Sequence, residues 1–198
     1  MIAIIDYGAG NIRSVANALE RAGASYCLTA SPADILAADH VILPGVGEAA
    51  SAMARLRERG LDGLIPELRM PVLGICIGLQ LLCRSSEEGG ARCLGVFDAE
   101  VRRLPDATAD GCRLKVPHVG WNTARCLSGP LFEGLDEGTF FYYVHSYAAA
   151  PCDAAAALTD YGRPFAAAIS RGNFYATQFH PEKSGAAGAR LLRNFLQL

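Results

Sequence analysis

A cysteine lies between two glycines at a predicted junction of a strand and a helix. The segment Gly74-Ile75-Cys76-Ile77-Gly78 follows the apolar run from Val72 to Ile75 and precedes a helix-like run. A sharp turn there would present the thiol at a helix N-terminus, as in the serine elbow of hydrolases. The N–H of Ile77 would then face a developing oxyanion. A buried structural cysteine beside two packing glycines explains the motif equally well.

His180 and Glu182 flank Pro181 far downstream. In an extended segment, residues i and i+2 project to the same side, so the carboxylate can orient the imidazole. For these residues alone, a strand end with a solvated glutamate is the better explanation. Combined with the cysteine, they predict a nucleophilic triad in which Cys76 attacks an acyl group, His180 acts as base and Glu182 orients His180.

The turn Pro44-Gly45-Val46-Gly47 follows a predicted strand, His40 to Leu43. Ligands bind at the carboxyl ends of strands in open parallel sheets. Two glycines free the backbone to direct N–H groups at an anion, so Val46 and Gly47 are candidates for the second half of an oxyanion hole. An ordinary strand-to-helix turn is an equally good interpretation. The segment lacks the lysine of a nucleotide-binding loop.

The first half of the sequence alternates strands and helices. Asn11 is a candidate helix cap, and Ile12, Val15, Ala16 and Leu19 follow with helical spacing. Repeated β-α-β units imply a parallel sheet with right-handed crossovers. The predicted strands are Ile2 to Tyr7, Ser25 to Thr29, His40 to Leu43 and Val72 to Ile75, and a second predicted helix carries Ala49, Ala52, Met53 and Leu56 and ends at Gly60.

The second half has shorter predicted strands joined by loops. Arg171-Gly172-Asn173 is typical of a hairpin turn, and Ser184 is expected to cap the last helix. We predict one α/β domain over residues 1–198, a three-layer open, mostly parallel (mixed) sheet flanked by helices. The strands expected here are Glu100 to Leu104, Arg113 to Pro117, Thr139 to Tyr147, Ala154 to Thr159, Phe165 to Ser170 and Phe174 to Phe179.

Composition excludes several functional classes. Of the 198 residues, 51% are hydrophobic and 19% charged, which favours a folded protein, and a net charge of −2 provides no basic field for nucleic acid. The seven cysteines form no CxxC pair, so neither a zinc site nor a disulfide framework is expected. The N-terminus has no basic leader, and the longest uncharged run, Gly138 to Cys152, is too short to span a bilayer. We expect a cytoplasmic protein without metal, cofactor or membrane contact.

Several segments together resemble the class I (triad) glutamine amidotransferases. The cysteine motif and Gln178-Phe179-His180-Pro181-Glu182 carry the resemblance to the superfamily. Within it, the sequence is most similar to the glutaminase subunits of imidazole glycerol phosphate synthases, which act in histidine biosynthesis. The segments that resemble this branch are Asp6-Tyr7-Gly8-Ala9-Gly10-Asn11, Pro44-Gly45-Val46-Gly47, Pro117-His118-Val119-Gly120-Trp121-Asn122, Tyr143-Val144-His145-Ser146-Tyr147 and His180-Pro181-Glu182-Lys183-Ser184.

The resemblance implies a class I amidotransferase fold and hydrolysis of glutamine. Cys76 would attack the side-chain amide, His180 would transfer protons, and a glutamyl thioester would form and be hydrolysed to glutamate. A substrate pocket is also implied, although plain packing remains an alternative for its members. The residues expected there are Gly45, Gln80, His145, Ser146 and Tyr147.

The resemblance further implies a heterodimer with a separate cyclase subunit, a (β/α)₈ barrel that receives the ammonia. The cyclase would make imidazole glycerol phosphate and aminoimidazole carboxamide ribotide. Lys183 precedes a predicted helix N-terminus, where a cation opposes the helix dipole, so a carboxylate on the partner would explain it. The alternative for Lys183 is a solvated surface lysine, and the alternative for Trp121 is a core residue. The residues expected at the interface are Asn11, Trp121, Asn122, Tyr142 and Lys183.

In this family, glutaminase activity is low until the cyclase binds its ribotide. We hypothesise that a peptide near Val46 turns its N–H inward to complete the oxyanion hole. Three other functions remain open from the sequence. They are a glutaminase subunit for anthranilate, folate or pyridoxal phosphate synthesis, a non-catalytic scaffold, and a stand-alone cysteine hydrolase.

Overall fold

The computed structural model describes residues 1–8 and 12–198, so the predictions for Asn11 as a cap and as an interface residue lie outside the described residues. The α-helices are α1 (Ile12–Arg21), α2 (Pro32–Leu36), α3 (Ala49–Glu58), α4 (Leu61–Leu64), α5 (Ile77–Leu82) and α6 (Gly185–Phe195). The strands are β1 (Ile2–Ile5), β2 (Tyr26–Thr29), β3 (His40–Leu43), β4 (Val72–Ile75), β5 (Ser85–Ser86), β6 (Ala91–Arg92), β7 (Glu100–Arg103), β8 (His118–Thr123), β9 (Phe140–His145), β10 (Tyr147–Ala149), β11 (Ala155–Tyr161), β12 (Arg163–Arg171) and β13 (Phe174–Thr177).

The described residues form a seven-stranded sheet in the order β11-β12-β13-β4-β3-β1-β2. Strands β13, β4, β3, β1 and β2 are parallel to one another, whereas β12 is antiparallel to both of its neighbours, β13 and β11. Helices flank this mixed sheet in a three-layer α/β fold, which confirms the predicted fold class. A four-stranded sheet, β10-β7-β5-β6, and a two-stranded ladder, β8-β9, accompany it.

The apolar runs explain the central strands. All four residues of β1 and all four of β4 are buried, as expected for strands covered on both faces. Helix α1 buries Val15, Ala16 and Leu19, so its amphipathic pattern was interpreted correctly. The predicted hairpin is also confirmed, because β12 and β13 pair around Gly172 with Arg171 opposite Phe174.

Three parallel neighbours bring the candidate catalytic segments to one edge. Strands β3, β4 and β13 end at Leu43, Ile75 and Thr177. Since parallel strands share a carboxyl edge, the segments that follow them converge there although they are far apart in the sequence. The fold thereby gathers the Pro44 turn, Cys76 and the segment that leads to His180.

The predicted strand over residues 113–117 is wrong. Arg113 forms only an isolated bridge to Ala107, and the strand begins at His118 and pairs with β9 in register, with Trp121 opposite Tyr142. Pro117 lacks the N–H that a strand ladder needs, which is consistent with pairing that starts after it.

Ser184 occupies the N-cap position of α6, but its hydroxyl makes no capping bond. It instead donates to the His180 carbonyl at 2.6 Å and accepts from the N–H of Tyr142 at 3.0 Å. The serine therefore ties the histidine segment to β9. None of the helices in residues 1–8 and 12–198 combines the length and the hydropathy needed to cross a membrane.

Candidate active site

Cys76 lies on a strained turn between β4 and α5. Its backbone dihedrals are φ 55° and ψ −104°, a region that non-glycine residues rarely adopt. Strain of this kind persists only where the surroundings enforce it, and it is concentrated at functional sites. The side chain is 4% exposed and borders a cavity. The turn therefore holds the sulfur at the end of β4, next to an open volume.

The glycines around Cys76 are required by close packing. A Cβ on Gly78 would lie 1.9 Å from the Leu43 carbonyl oxygen, and one on Gly74 would lie 2.8 Å from the Gly78 carbonyl. Only hydrogen fits at either position, so α5 can approach β3 and β4 closely. The Gly-x-Cys-x-Gly pattern is thus a steric requirement of the turn.

His180 and Glu182 form a buried pair. The Nδ1 of His180 lies 2.8 Å from Oε1 of Glu182, and the two side chains are almost fully buried. Because a carboxylate accepts, Nδ1 carries the proton and Nε2 is left as the reactive nitrogen. Nε2 and the other Glu182 oxygen, Oε2, have no hydrogen-bond partner among the described residues.

The pKa of His180 is raised to about 9. Burial alone would lower this pKa, but the nearby Cys76 sulfur and Glu182 outweigh the effect by stabilising the imidazolium. At neutral pH the ring therefore carries the proton that a leaving amine would need. The main-chain N–H of His180 donates to the Tyr142 carbonyl at 2.9 Å and fixes the segment against β9.

One cavity of about 280 Å³ brings together most of the candidate residues. Its volume falls just below the range of about 300–1,000 Å³ that is typical for drug-sized ligands, so it suits a smaller molecule. Gly45 is outside the lining, and Trp121, Asn122 and Tyr142 are also away from it. The lining residues are Val46, Gly47, Cys76, Ile77, Gln80, Glu88, Pro117, Val144, His145, Ser146, Tyr147, His180 and Lys183.

The Pro44 turn forms the wall opposite the sulfur. The Tyr7 hydroxyl donates to the Pro44 carbonyl at 3.0 Å and anchors the start of the turn. Gly45 packs so tightly that a Cβ would lie 2.7 Å from the Ile77 Cβ. Gly47 has a φ of +97° with open space around it. The turn is therefore anchored at its beginning and has unfilled space beside Gly47.

The Gln80 side chain has a defined orientation. Its Nε2 donates to the Tyr147 carbonyl at 2.8 Å and to Gln178 Oε1 at 3.1 Å, so both of its hydrogens are used. Its Oε1 is buried and has no partner within the described part of the chain. The two donated bonds hold the side chain in one orientation in the cavity wall.

The sequence analysis left several residues out of the candidate site, and two of them, Gln178 and Glu88, have polar side chains. Gln178 directs Nε2 at the Cys76 sulfur, at 3.7 Å, and its place two residues before His180 was a signal that could have identified it. Glu88 accepts the Ala49 N–H at 2.9 Å and lines the cavity, and burial raises its pKa. No spacing in the sequence connects Glu88 to the triad, because it comes from a short 3₁₀ turn.

The predicted interface residues lie around the β8-β9 ladder. Trp121 is 54% exposed and makes an edge contact with Tyr142, and Lys183 Nζ lies 6.0 Å from the centre of the Tyr142 ring. The Asn122 amide instead donates within the chain, to the Asp160 carbonyl at 3.1 Å. Trp121 is therefore a surface residue, whereas Asn122 contributes to internal bonding.

Within residues 1–8 and 12–198, no three His, Cys, Asp or Glu side chains are grouped as metal ligands. The cavity thus presents the Cys76 thiol and an imidazole held by a carboxylate, with Val46, Gly47 and Ile77 in its lining. This set suits nucleophilic attack on an acyl carbon.

Comparison with known proteins identifies the class. The family model of class I glutamine amidotransferases matches residues 3–198, and the chain belongs to this family. Two crystal structures share the fold. One is of a glutamine amidotransferase, with a TM-score of 0.75, 20% identity and coverage of 99% of this chain and 97% of the other. The second, from Thermotoga maritima, has a TM-score of 0.64, 16% identity and coverage of 99% and 82%.

Curated relatives are considerably more similar. The imidazole glycerol phosphate synthase subunit HisH of Bacteroides fragilis (strain YCH46) is 54% identical over 197 residues, which cover 100% of this chain and 99% of the relative. The subunit HisH of Bacteroides thetaiotaomicron is also 54% identical, with the same coverage, and that of Yersinia pseudotuberculosis is 47% identical. The likeness extends over the full chain.

Proposed function

We propose that this chain is the glutaminase subunit of an imidazole glycerol phosphate synthase and acts in histidine biosynthesis. The observation that carries the chemistry is the thiol of Cys76 on a strained turn, in one cavity with His180, whose imidazole is held by the buried Glu182. The full-length similarity to the HisH subunits supports the particular enzyme.

The reaction begins when His180 takes up the proton of the Cys76 thiol and the sulfur attacks the side-chain carbonyl carbon of glutamine. The carbonyl oxygen becomes an oxyanion, which the N–H groups of Ile77 and of Val46 or Gly47 stabilise. The C–N bond then breaks as His180 donates its proton to the nitrogen, ammonia leaves and a glutamyl thioester remains. His180 next deprotonates a water that attacks the thioester, and glutamate and free Cys76 result.

Glu182 holds the imidazole of His180 in one tautomer and stabilises its charged form. Glu88 lines the same cavity as Gln80, and its carboxylate can accept N–H groups from the α-ammonium of glutamine. His145, Ser146 and Tyr147 also line this cavity, and Gly45 supports Ile77 from behind.

The ammonia passes to a cyclase subunit, a (β/α)₈ barrel on a separate chain, with which this chain forms a heterodimer. The β8-β9 ladder offers a docking face. Val119, Trp121 and Phe140 are 56%, 54% and 58% exposed, and the register of the ladder puts them on one face. Exposed apolar side chains grouped on one face are typical of protein interfaces. Lys183, beside this face, is available to a partner carboxylate.

We further propose that residues 1–198 form one domain and that the protein works in the cytoplasm. The buried apolar residues form a continuous core, which supports a single domain. All seven cysteines, each within the described residues, carry free thiols, as expected in a reducing compartment.

The decisive experiment compares wild type with Cys76→Ala in the complex with the cyclase and its ribotide. We expect Cys76→Ala to lose glutamine-dependent synthesis, because no thioester can form, and to retain synthesis from added ammonium. Cys126→Ala, an exposed cysteine outside the cavity, is the matched control and should keep both reactions. Glutamine-dependent synthesis by the Cys76→Ala complex would refute the mechanism.

A further inference from the structure

Two buried histidines outside the triad form a hydrogen-bonded pair. Nδ1 of His118 lies 3.1 Å from Nε2 of His145, and Nδ1 of His145 lies 2.9 Å from the Tyr147 carbonyl oxygen. A carbonyl only accepts, so Nδ1 of His145 must carry a proton. If His145 is neutral, its Nε2 accepts, and His118 must donate from Nδ1.

The surroundings make both rings neutral. Burial lowers the pKa of His118 to about 4 and that of His145 to about 3, because no carboxylate compensates the lost hydration. With Nδ1 as the donor, Nε2 of His118 is an acceptor, and it lies 3.4 Å from the Asn122 amide nitrogen. The tautomers of both rings are thereby fixed, and every proton in the chain of bonds has one position.

Packing immobilises the outer ring of the pair. The His118 ring stacks against Tyr161, with centroids 4.0 Å apart, and against Tyr143, with centroids 5.0 Å apart. The hydroxyl of Tyr161 donates to the Lys115 carbonyl at 2.7 Å, and that of Tyr143 is 2.7 Å from Thr159 Oγ1. His118 is thus held between two anchored rings.

The pair ends on the substrate wall. The Tyr147 carbonyl accepts from His145 and from Gln80, so both of its lone pairs are occupied. Gln80 in turn donates to Gln178, whose amide points at the Cys76 sulfur. The orientation of the Gln80 side chain in the cavity wall therefore depends on where this carbonyl lies.

We infer that His118 and the ring of His145 are positioning residues for the substrate: they hold the Tyr147 carbonyl and, through it, the Gln80 side chain in the wall of the cavity that receives glutamine. This inference rests on the proposed function for the identity of the substrate. Neither ring touches the reacting carbon, so the pair acts on substrate binding and leaves the chemical step unchanged.

Two substitutions of His118 separate positioning from packing. His118→Phe keeps a flat ring between Tyr143 and Tyr161 but removes the donor to His145. His118→Asn loses the stacked ring but supplies an amide N–H close to the Nδ1 position. A positioning role requires His118→Phe to be the more defective variant, whereas a packing role requires His118→Asn to be.

The assay is glutamine hydrolysis by the complex with the cyclase and its ribotide. We expect His118→Phe to raise KM about 10-fold with little change in kcat, because one buried hydrogen bond is lost. His118→Asn should return KM to within about threefold of wild type, since it restores the N–H group. Unchanged KM in His118→Phe, or a larger defect in His118→Asn, would overturn the inference. If wild type itself hydrolyses no glutamine, the proposed function fails instead.

A spectroscopic readout does not depend on activity. In wild-type protein labelled with ¹⁵N-histidine, His118 and His145 should both be neutral Nδ1–H tautomers at pH 7, with signals assigned by the single-site variants. The measurement itself is made on wild-type protein. If the variant of one histidine does not fold, the variant of the other histidine is used to assign the two signals. An Nε2–H tautomer or a charged ring at either position contradicts the arrangement.

Discussion

Replacing Glu182 by glutamine tests how the catalytic base is prepared. The substitution keeps the size of the side chain and removes its charge. In the folded protein, Glu182 Oε1 lies 2.8 Å from His180 Nδ1, and the pair is shielded from water. An opposite charge at this distance shifts the pKa of a neighbour by about 1–3 pH units, and each unit corresponds to about 1.4 kcal/mol. We therefore expect the imidazolium to lose about 1.4–4 kcal/mol of stabilisation.

The loss should appear in catalysis. Because a charged imidazole protonates the leaving ammonia, kcat/KM for glutamine should fall by roughly 10- to 1,000-fold in Glu182→Gln. The assay is glutamine hydrolysis by the complex with the cyclase and its ribotide, across pH 6 to 10. Glu58→Gln, an exposed glutamate of α3, is the matched control and should behave like wild type. Ammonium-dependent synthesis should be equal in all three proteins.

The Glu182→Gln substitution should also change how the free energy of unfolding depends on pH. The His180 pKa rises from 6.5 to about 9 on folding, so its contribution to stability is complete below pH 6.5 and is lost as the pH rises through 9. Without the Glu182 carboxylate, the pKa of His180 in the folded protein falls. Its contribution to stability should therefore be lost at lower pH. Thermal unfolding across this range measures it. Wild-type kcat/KM together with an unaltered pH profile in Glu182→Gln would refute the assigned role of Glu182.

Two pairs of glycine substitutions test the remaining parts of the site. Gly47→Val introduces a β-branched residue at φ +97° in open space. Because such a residue rarely adopts this conformation, the variant should decrease ligand-activated glutamine turnover at least 10-fold and leave cyclase binding intact. Gly111→Val, at φ +88° and equally open, is the control and should not change turnover. Wild-type turnover in Gly47→Val would reject a mobile oxyanion peptide. Gly78→Ala places a Cβ 1.9 Å from the Leu43 carbonyl oxygen and should destabilise the protein by about 1–3 kcal/mol or more. Gly63→Ala in α4 is the control: no atom lies within 4 Å of the added Cβ, so this variant should be neutral or stabilising. Urea unfolding of both variants checks this, and equal midpoints would contradict the close packing of α5 on β3.

The sequence predicted the central sheet well because its strands are defined by local hydrophobicity. Strands β3 and β4 have the predicted bounds, since each is a short apolar run that ends in a turn. The second half was harder, because its strands are partly exposed and their pairing depends on distant partners. Residues 113–117 alternate like a strand, yet the ladder forms over His118–Thr123, where β9 is available.

The candidate triad could be predicted because its members lie in short local patterns. Glu88 could not be predicted, because only folding brings it to the cavity. There its carboxylate accepts the N–H of Ala49 at the N-terminus of α3. The role of His118 was hidden for the same reason. Its motif was recognised, but the partner His145 lies 27 residues away and faces it only through the β8-β9 register.

The β8-β9 register explains why the segment from Pro117 to Asn122 contains both residues that support the cavity and residues that are exposed. Side chains alternate along a strand, so His118 and Asn122 project to one face of the ladder and Val119 and Trp121 to the other. The first face supports the cavity through His145, and the second is exposed and apolar. A partner docked on the exposed face, as proposed, would contact the two strands that carry His118 and His145. Any shift of β8 along β9 would move the docking face and the substrate wall together, because no independent element separates them.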